Sequence, residues 1–126
     1  MNGFILVFLG GGVGAAARHG VNLLAAQWSA TRYPLGTFFV NVLGSLAIGV
    51  LAEAFALRTQ WSGNARLFLV TGVLGGFTTF SAYSLEVGLL YERGQRIAAA
   101  AYAAASVVCA VGAMFAGMYA VRRLST

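Results

Sequence analysis

The sequence predicts an all-α membrane protein with four transmembrane helices in each subunit. Three observations lead to this fold class: the balance of apolar and charged residues, the length of the apolar blocks, and the shortness of the segments between them. Of the 126 residues, 60% are hydrophobic and only 9% are charged, which is about a third of the charged fraction of a soluble domain. So few charges cannot cover a water-facing surface without leaving large apolar patches. Lipid is therefore the expected solvent.

Four apolar blocks occupy almost the whole chain and form a single predicted transmembrane domain, 1–126. Each block has about 23 to 25 residues, which at about 1.5 Å per residue spans a hydrocarbon core of about 30 Å. The segments between the blocks are too short to form a soluble domain. The predicted spans are 3–27, 35–57, 67–90 and 97–121.

The first span carries a single charge, Arg18, about two-thirds of the way along it. Its guanidinium either snorkels to the membrane surface or forms a fixed positive charge at the mouth of an aqueous vestibule, where it would attract anions. Gly12 and Gly14 imitate a dinucleotide-binding fingerprint. The acid that this motif needs about 20 residues later is missing, because the first acid is Glu53. We expect no nucleotide partner and, since the arginines are scattered, no nucleic acid.

The second span carries a polar stripe. Thr37, Asn41 and Ser45 recur every four residues, so they lie along one face of a helix. A serine or threonine alone commonly bonds to its own helix. The Asn41 amide has two N–H donors that its own helix cannot satisfy. An interhelical hydrogen bond and a bound anion are both open interpretations.

The third span contains a predicted break. Gly75 and Gly76 precede Thr78 and Thr79, and this run of glycines and β-branched residues is unfavourable for a continuous helix. Non-helical backbone at membrane depth survives only where it is buried in protein or lines a cavity. Its free carbonyl and amide groups are suited to holding ions.

Aromatic and hydroxyl side chains follow the predicted break and recur in the fourth span. Hydroxyls and the positive edges of aromatic rings are partners for an anion. No group of several carboxylates in the spans suggests a cation path. The candidate residues are Phe80, Ser81, Tyr83 and Ser84 after the break, with Glu86 on the Phe80 face, and Tyr102 and Ser106 in the fourth span.

Small residues four positions apart mark four faces on which helix backbones can approach closely. Intramolecular packing and an oligomer interface each explain any one of these faces. Because four helices cannot enclose a pore and also line it with polar groups, we expect an oligomer, specifically a two-fold dimer. The pairs are Gly10 with Gly14, Ser45 with Gly49, Gly72 with Gly76, and Ala113 with Gly117.

The charges in the loops are nearly balanced across the membrane. All eight basic residues are arginine, and with both termini in the cytoplasm four of them lie inside and three outside. The positive-inside rule orients such a chain only weakly. We therefore predict a chain that inserts in both orientations and assembles as an antiparallel dual-topology homodimer. The inner set is Arg58, Arg66, Arg122 and Arg123, and the outer set is Arg32, Arg93 and Arg96.

Together these motifs resemble the Fluc family of fluoride channels, also called CrcB proteins. The resemblance covers nearly the whole chain, including its length and its number of spans. The string in the third span is its most specific part. The matching residues are Gly14 to Arg18 in the first span, Gly36-Thr37 and Asn41-Val42-Leu43-Gly44 in the second, and Gly75-Gly76-Phe77-Thr78-Thr79-Phe80-Ser81 with Glu86 in the third.

This resemblance implies a passive, fluoride-selective channel that exports fluoride across the bacterial inner membrane and lowers its toxicity. It implies an antiparallel dual-topology homodimer with two fluoride pathways and one central Na⁺, which is structural and is not transported. Backbone carbonyls of Gly75 and Thr78 from both subunits would hold the sodium. The implied fluoride pathway comprises Arg18 at the vestibule, Thr37 and Asn41, the paired aromatics Phe80 and Tyr83, and a polar track of Ser81, Ser84, Tyr102 and Ser106.

Two positions depart from the family pattern. Tyr83 stands where phenylalanine is common, so its hydroxyl adds a donor or changes the polar track. Ala110, one turn after Ser106, lacks a hydroxyl that some members carry.

Two other functions fit the sequence less well. A small dual-topology proton-coupled multidrug exporter needs a carboxylate within the membrane, typically in the first span. The first span has Arg18 and no acid, which leaves Glu86 as the only candidate. A membrane enzyme needs a nucleophile and a base. His19 has no obvious partner for this role, so we expect no enzymatic activity.

Overall fold

The computed structural model describes residues 2–28, 35–57 and 62–125, and its regular elements in these ranges are all helices. Four segments are long and apolar enough to cross a membrane: Gly3–Gln27, Leu35–Leu57, Gly63–Glu92 and Arg96–Leu124. The predicted number of four membrane-spanning helices is confirmed, and the chain is a multi-pass membrane protein. The helices are α1 (Gly3–Trp28), α2 (Leu35–Leu57), α3 (Gly63–Arg66), a π-helix (Leu67–Leu74), α4 (Gly75–Phe77), α5 (Phe80–Glu92) and α6 (Arg96–Leu124).

The third span is broken where the sequence predicts it. Thr78 (φ −85°, ψ 156°) and Thr79 (φ −153°, ψ 114°) have extended backbone, and the helix resumes at Phe80. The predicted break is therefore confirmed. The π-helix Leu67–Leu74 lies just before it, and no feature of the sequence predicts this wider winding, which is rare and is often found at functional sites.

A glycine turn brings α6 back beside α5. Gly94 has a φ of 82°, a left-handed conformation that glycine adopts without steric cost. The Gly94 amide donates to the Tyr91 carbonyl and the Gln95 amide to the Leu90 carbonyl, both at 3.0 Å. This is the Schellman pattern of a helix C-terminus. It makes α5 and α6 antiparallel neighbours.

The first half of the third span, residues 63–77, packs against α1 through glycines. A Cβ atom at Gly14 would overlap the Val73 carbonyl, and one at Gly10 would lie 3.0 Å from the Gly72 Cα atom. Backbone approach this close requires small residues on both helices. The glycine pairs of these two helices therefore pack against each other within one chain.

Helices α2 and α6 form a second close pair. A Cβ atom at Gly49 would overlap the Met114 carbonyl, and one at Gly117 would overlap the Leu46 carbonyl. The small-residue faces of these helices also pack within one chain. For all four faces the structure thus shows intramolecular packing, one of the two interpretations that the sequence leaves open.

An ion pair joins the ends of α2 and α6. The Arg122 Nε atom donates to the Glu53 Oε1 atom at 2.8 Å, and Nη2 donates to Oε2 at 3.3 Å. The Glu53 side chain is 11% exposed and that of Arg122 is 59% exposed. This pair was not predicted, and it places an acid beside one arginine of the inner set. Two other arginines of the predicted balance, Arg32 and Arg58, lie outside the described residues.

Candidate functional site

The Asn41 side chain is bonded to the break in the third span. Its Nδ2 atom donates to the Thr79 carbonyl at 3.1 Å, and its Oδ1 atom accepts from the Thr79 amide at 2.9 Å. One side chain thus satisfies both backbone groups of Thr79, as a neighbouring strand would. The interhelical hydrogen bond is therefore present. The second hydrogen on Nδ2 remains available for another partner.

Two backbone carbonyls at the break lose their usual helical partners. In an unbroken helix the Gly75 carbonyl accepts from the Thr79 amide, and the Thr78 carbonyl accepts from the Ala82 amide. Here the Thr79 amide donates to Asn41, and the Ala82 amide donates to the Thr79 Oγ1 atom at 3.1 Å. The first residues of α5 are therefore capped by a side chain, which leaves both carbonyl oxygens without these amides.

These two carbonyls suit a hard cation. Alkali and alkaline-earth ions take oxygen ligands, including backbone carbonyls. The Thr78 Oγ1 atom donates to the Leu74 carbonyl at 2.9 Å, so the side chain is held by the preceding turn, and the Ala82 amide that would bond to the Thr78 carbonyl in a helix donates to Thr79 instead. The residues present thus fit the sodium site that the resemblance implies at Gly75 and Thr78.

The break opens on a cavity of about 390 Å³ between α2, the third span and α6. The Ser106 Oγ atom on its wall is buried and has no hydrogen-bond partner among the described residues. Leaving a buried hydroxyl unpaired costs about 1–3 kcal/mol, so this group is suited to a bound species. The predicted site residues that line the cavity are Asn41, Gly75, Thr78, Phe80, Tyr83 and Ser106.

Three aromatic rings follow one another from the break towards α6. The ring centroids of Phe80 and Tyr83 are 5.4 Å apart, and those of Tyr83 and Tyr102 are 5.7 Å apart. Phe80 is 77% exposed. The Tyr83 hydroxyl donates to the Ala103 carbonyl at 2.9 Å. The hydroxyl that distinguishes Tyr83 from phenylalanine therefore joins α5 to α6 and is not a free donor in the cavity.

The Glu86 carboxylate accepts hydrogen bonds from two of the predicted pathway residues. The Thr37 hydroxyl donates to one carboxylate oxygen at 2.9 Å, and the Tyr102 hydroxyl donates to the other at 3.0 Å. This network joins α2, α5 and α6, and the sequence did not predict it. Helical spacing is the sequence signal that could have indicated this network. Thr37 lies one turn before Asn41, and Tyr102 lies one turn before Ser106, so each shares a helix face with a cavity residue.

Besides Thr37 and Tyr102, three more predicted pathway residues are not among those that line the cavity. Arg18 is half-buried on α1. Ser81 is exposed, and its hydroxyl lies 3.3 Å from that of Thr79. Ser84 lines a different groove, between α5 and α6, together with Ala103. Within one chain the predicted polar track is therefore not a single surface.

Comparison with known proteins identifies the family. The sequence profile described as CrcB-like protein, Camphor Resistance (CrcB), matches residues 5–118. The chain belongs to the CrcB-like family. The resemblance seen in the sequence is thereby confirmed.

Similar CrcB-like proteins match this chain over nearly its full length. The protein from Granulibacter bethesdensis is 53% identical over 124 residues, which cover 98% of both chains. The protein from Hyphomonas neptunium is 53% identical over 125 residues, again 98% of each. One from Nitrobacter hamburgensis is 52% identical over 122 residues, 97% of this chain and 98% of the relative. The first two are named fluoride-specific ion channel FluC, and the third is named fluoride-specific ion channel FluC 2.

Proposed function

We propose that this CrcB-like protein is a passive, fluoride-selective ion channel that exports fluoride from the cytoplasm and lowers its toxicity. The observation that carries the proposal is the cavity at the break, which Asn41 and Ser106 line and beside which the Ser106 Oγ atom is buried without a hydrogen-bond partner among the described residues. Asn41 lines the same cavity, and only one of its two amide hydrogens is bonded to Thr79. Relatives about half identical to this chain are named fluoride-specific ion channels, which supports the choice of anion.

Neutral donors at short range suit fluoride in particular. Fluoride is small and strongly hydrated, so a pore must replace its water with close donors, and a narrow path excludes larger anions such as chloride. In the proposed path the Asn41 amide and the Ser106 hydroxyl donate to the anion, and the edge of the Phe80 ring faces it. Thr37 and Tyr102 border this path, with their hydroxyl protons directed at Glu86.

The other predicted residues complete the proposed path outside the cavity. Arg18 supplies positive charge at the vestibule, and Ser81 and Ser84 contribute hydroxyls on the exposed side of α5. Tyr83 packs against Phe80 and holds its ring in place.

The working unit in this proposal is an antiparallel dual-topology homodimer with two pathways. Gly75 at the break is exposed on the single chain, as are Phe80 and Ser81. The Gly75 carbonyl has lost its usual amide partner, and such a group cannot face lipid, because the hydrocarbon offers no hydrogen-bond partners. A second copy of the chain would cover this surface, and the nearly balanced arginines favour insertion in both orientations.

A structural Na⁺ forms part of the same proposal. The Gly75 and Thr78 carbonyls of both subunits would hold it, since these oxygens lack their usual amide partners. The ion supplies positive charge that joins the two broken spans, and it is not transported.

The exporter alternative gains no support from the relatives, which are named as fluoride channels. Passive conduction makes and breaks no covalent bond, so we expect a channel and not an enzyme. The relatives are bacterial, and the bacterial inner membrane is the proposed location.

Fluoride release from proteoliposomes tests the proposal directly. Purified protein is reconstituted into vesicles loaded with potassium fluoride, a potassium ionophore is added, and external fluoride is followed with a selective electrode. We expect rapid fluoride release, with no comparable release from vesicles loaded with chloride. Equal release of both ions, or no release above protein-free vesicles, would contradict the proposed function.

A further inference from the structure

The third residue of the polar stripe on α2, Ser45, has no role in the site described above. It lines the same cavity as Asn41, one helical turn further along α2, and it is half-buried. Within the described residues its hydroxyl makes no hydrogen bond, not even to its own helix. A serine in an apolar helix usually bonds to the carbonyl one turn earlier, so an unpaired hydroxyl that lines a cavity needs another explanation.

The wall of the cavity that α6 forms has few polar residues. On α6, Ser106 lines the cavity, and the next residue on that face, Ala110, carries no polar group. Val107 and Val111 line the cavity beside Ala110. Beyond Ser106, therefore, α6 presents only apolar surface to this cavity.

Polar lining continues on α2 instead. Asn41 is held at the break by Thr79, and Ser45 follows it by one turn on the wall opposite Ala110. Ser45 and Ser106 thus line one cavity from two different helices, and the Ser106 Oγ atom is buried without a hydrogen-bond partner among the described residues. Two such groups can replace water molecules around a small anion, because each hydroxyl donates one hydrogen bond.

We propose that the Ser45 hydroxyl contacts the permeating anion and extends the donor path of the cavity past Ser106 along α2. This inference rests on the proposed fluoride conduction and adds to it a residue on a second wall of the cavity. Asn41 has one amide hydrogen for the anion, because the second is bonded to the Thr79 carbonyl. The Ser45 hydroxyl is the next donor along α2.

The inference is tested by moving the hydroxyl from one wall to the other. Fluoride release is measured for the wild-type protein, for S45A, and for the double variant S45A/A110S, which restores a hydroxyl on α6. A lost hydrogen bond to a charged group is worth tenfold or more in affinity, so S45A should slow fluoride release about tenfold. The double variant should recover most of that loss. S125A, which removes an exposed hydroxyl at the end of the chain, is the matched control and should behave as the wild type does.

The outcomes separate this inference from the proposed function. Wild-type vesicles that release no fluoride contradict the function itself. Wild-type release together with S45A release within about twofold of it overturns the role of Ser45. A double variant no faster than S45A also overturns it, because the hydroxyl would then not be the missing element. If S45A fails to elute as a folded species, S45C replaces it, since cysteine has similar volume but is a much weaker donor.

Discussion

The two halves of the third span are held in place by different forces. Residues 63–77 lie against α1 with glycine backbone on both sides, and Gly14 leaves no room for a side chain. The second half is tied to its neighbours by hydrogen bonds, because the Thr79 amide and the Tyr83 hydroxyl donate to α2 and α6 and the Glu86 carboxylate accepts from α2. Close backbone packing, which leaves no room for side chains, positions the first half, and hydrogen bonds position the second.

This difference bears on where polar side chains of the third span can enter the site. Close backbone packing gains dispersion contacts but leaves no space for a side chain or an ion. The cavity lies beside both halves of the span, and its third-span lining is apolar or glycine before the break, at Val70, Leu74 and Gly75, and aromatic after it, at Phe80 and Tyr83.

The largest expected effect is on stability, when a methyl group is placed in the close contact between α1 and the first half of the third span. Gly14→Ala places a methyl group against the Val73 carbonyl, and because backbone cannot move aside easily, we expect a loss of about 3 kcal/mol or more. Little folded protein should be recovered by size-exclusion chromatography in detergent. Gly12→Ala, which has open space at the same helix, is the control. Equal recovery of the two variants would mean that volume does not position the first half.

A change in the second half should remove function and leave the fold intact. Phe80→Ile removes the aromatic edge from a side chain that is 77% exposed, so we expect fluoride release from vesicles to be abolished. The chromatographic profile should match the wild type. Phe4→Ile, at a position that is 87% exposed on α1, should release fluoride normally. Normal release by the Phe80 variant would contradict the role of the ring in the pore.

Asn41 connects the polar half to its neighbour and should show an intermediate effect. Asn41→Ala removes both bonds to Thr79 and the remaining amide hydrogen, and we expect fluoride release to fall about tenfold or more. The Thr79 amide should also exchange with solvent deuterium faster. The exposed Asn64→Ala serves as control. Unchanged release with faster exchange would assign Asn41 a purely structural role.

The smallest effect is expected at the bond between α5 and α6. Tyr83→Phe removes the hydroxyl that donates to the Ala103 carbonyl and keeps the ring. A single neutral hydrogen bond contributes about 0.5–1.5 kcal/mol, so the melting temperature in detergent should fall by a few degrees while release stays within about threefold of the wild type. A collapse of release would show that the hydroxyl itself contacts the anion.

The spans and the break could be predicted because they depend on local properties. A run of apolar residues long enough to cross a bilayer determines a transmembrane helix, and Gly75 to Thr79 disfavour a helix through their own backbone preferences. The polar stripe of Thr37, Asn41 and Ser45 follows from helical periodicity alone. These predictions need no knowledge of which helix lies beside which.

Partners could not be predicted in the same way, because they depend on how helices pack. The sequence placed an amide at Asn41, but its pairing with Thr79 requires α2 to lie beside the break. Glu86 between Thr37 and Tyr102 likewise joins residues far apart in the chain. The glycine pairs admit two interpretations until the neighbouring backbone is known.

The amino-acid sequence alone thus accounts for the lipid solvent, the four helices and the interruption of the third, since each follows from composition or from the preferences of neighbouring residues. Tertiary packing accounts for which donors remain free. A hydroxyl or amide is available to an ion only when no other group has bonded to it, and that depends on contacts between residues distant in sequence. For this reason Ser106 stands out as unpaired only in the folded chain, while Thr37 and Tyr102, which are also hydroxyl residues, are already bonded to Glu86.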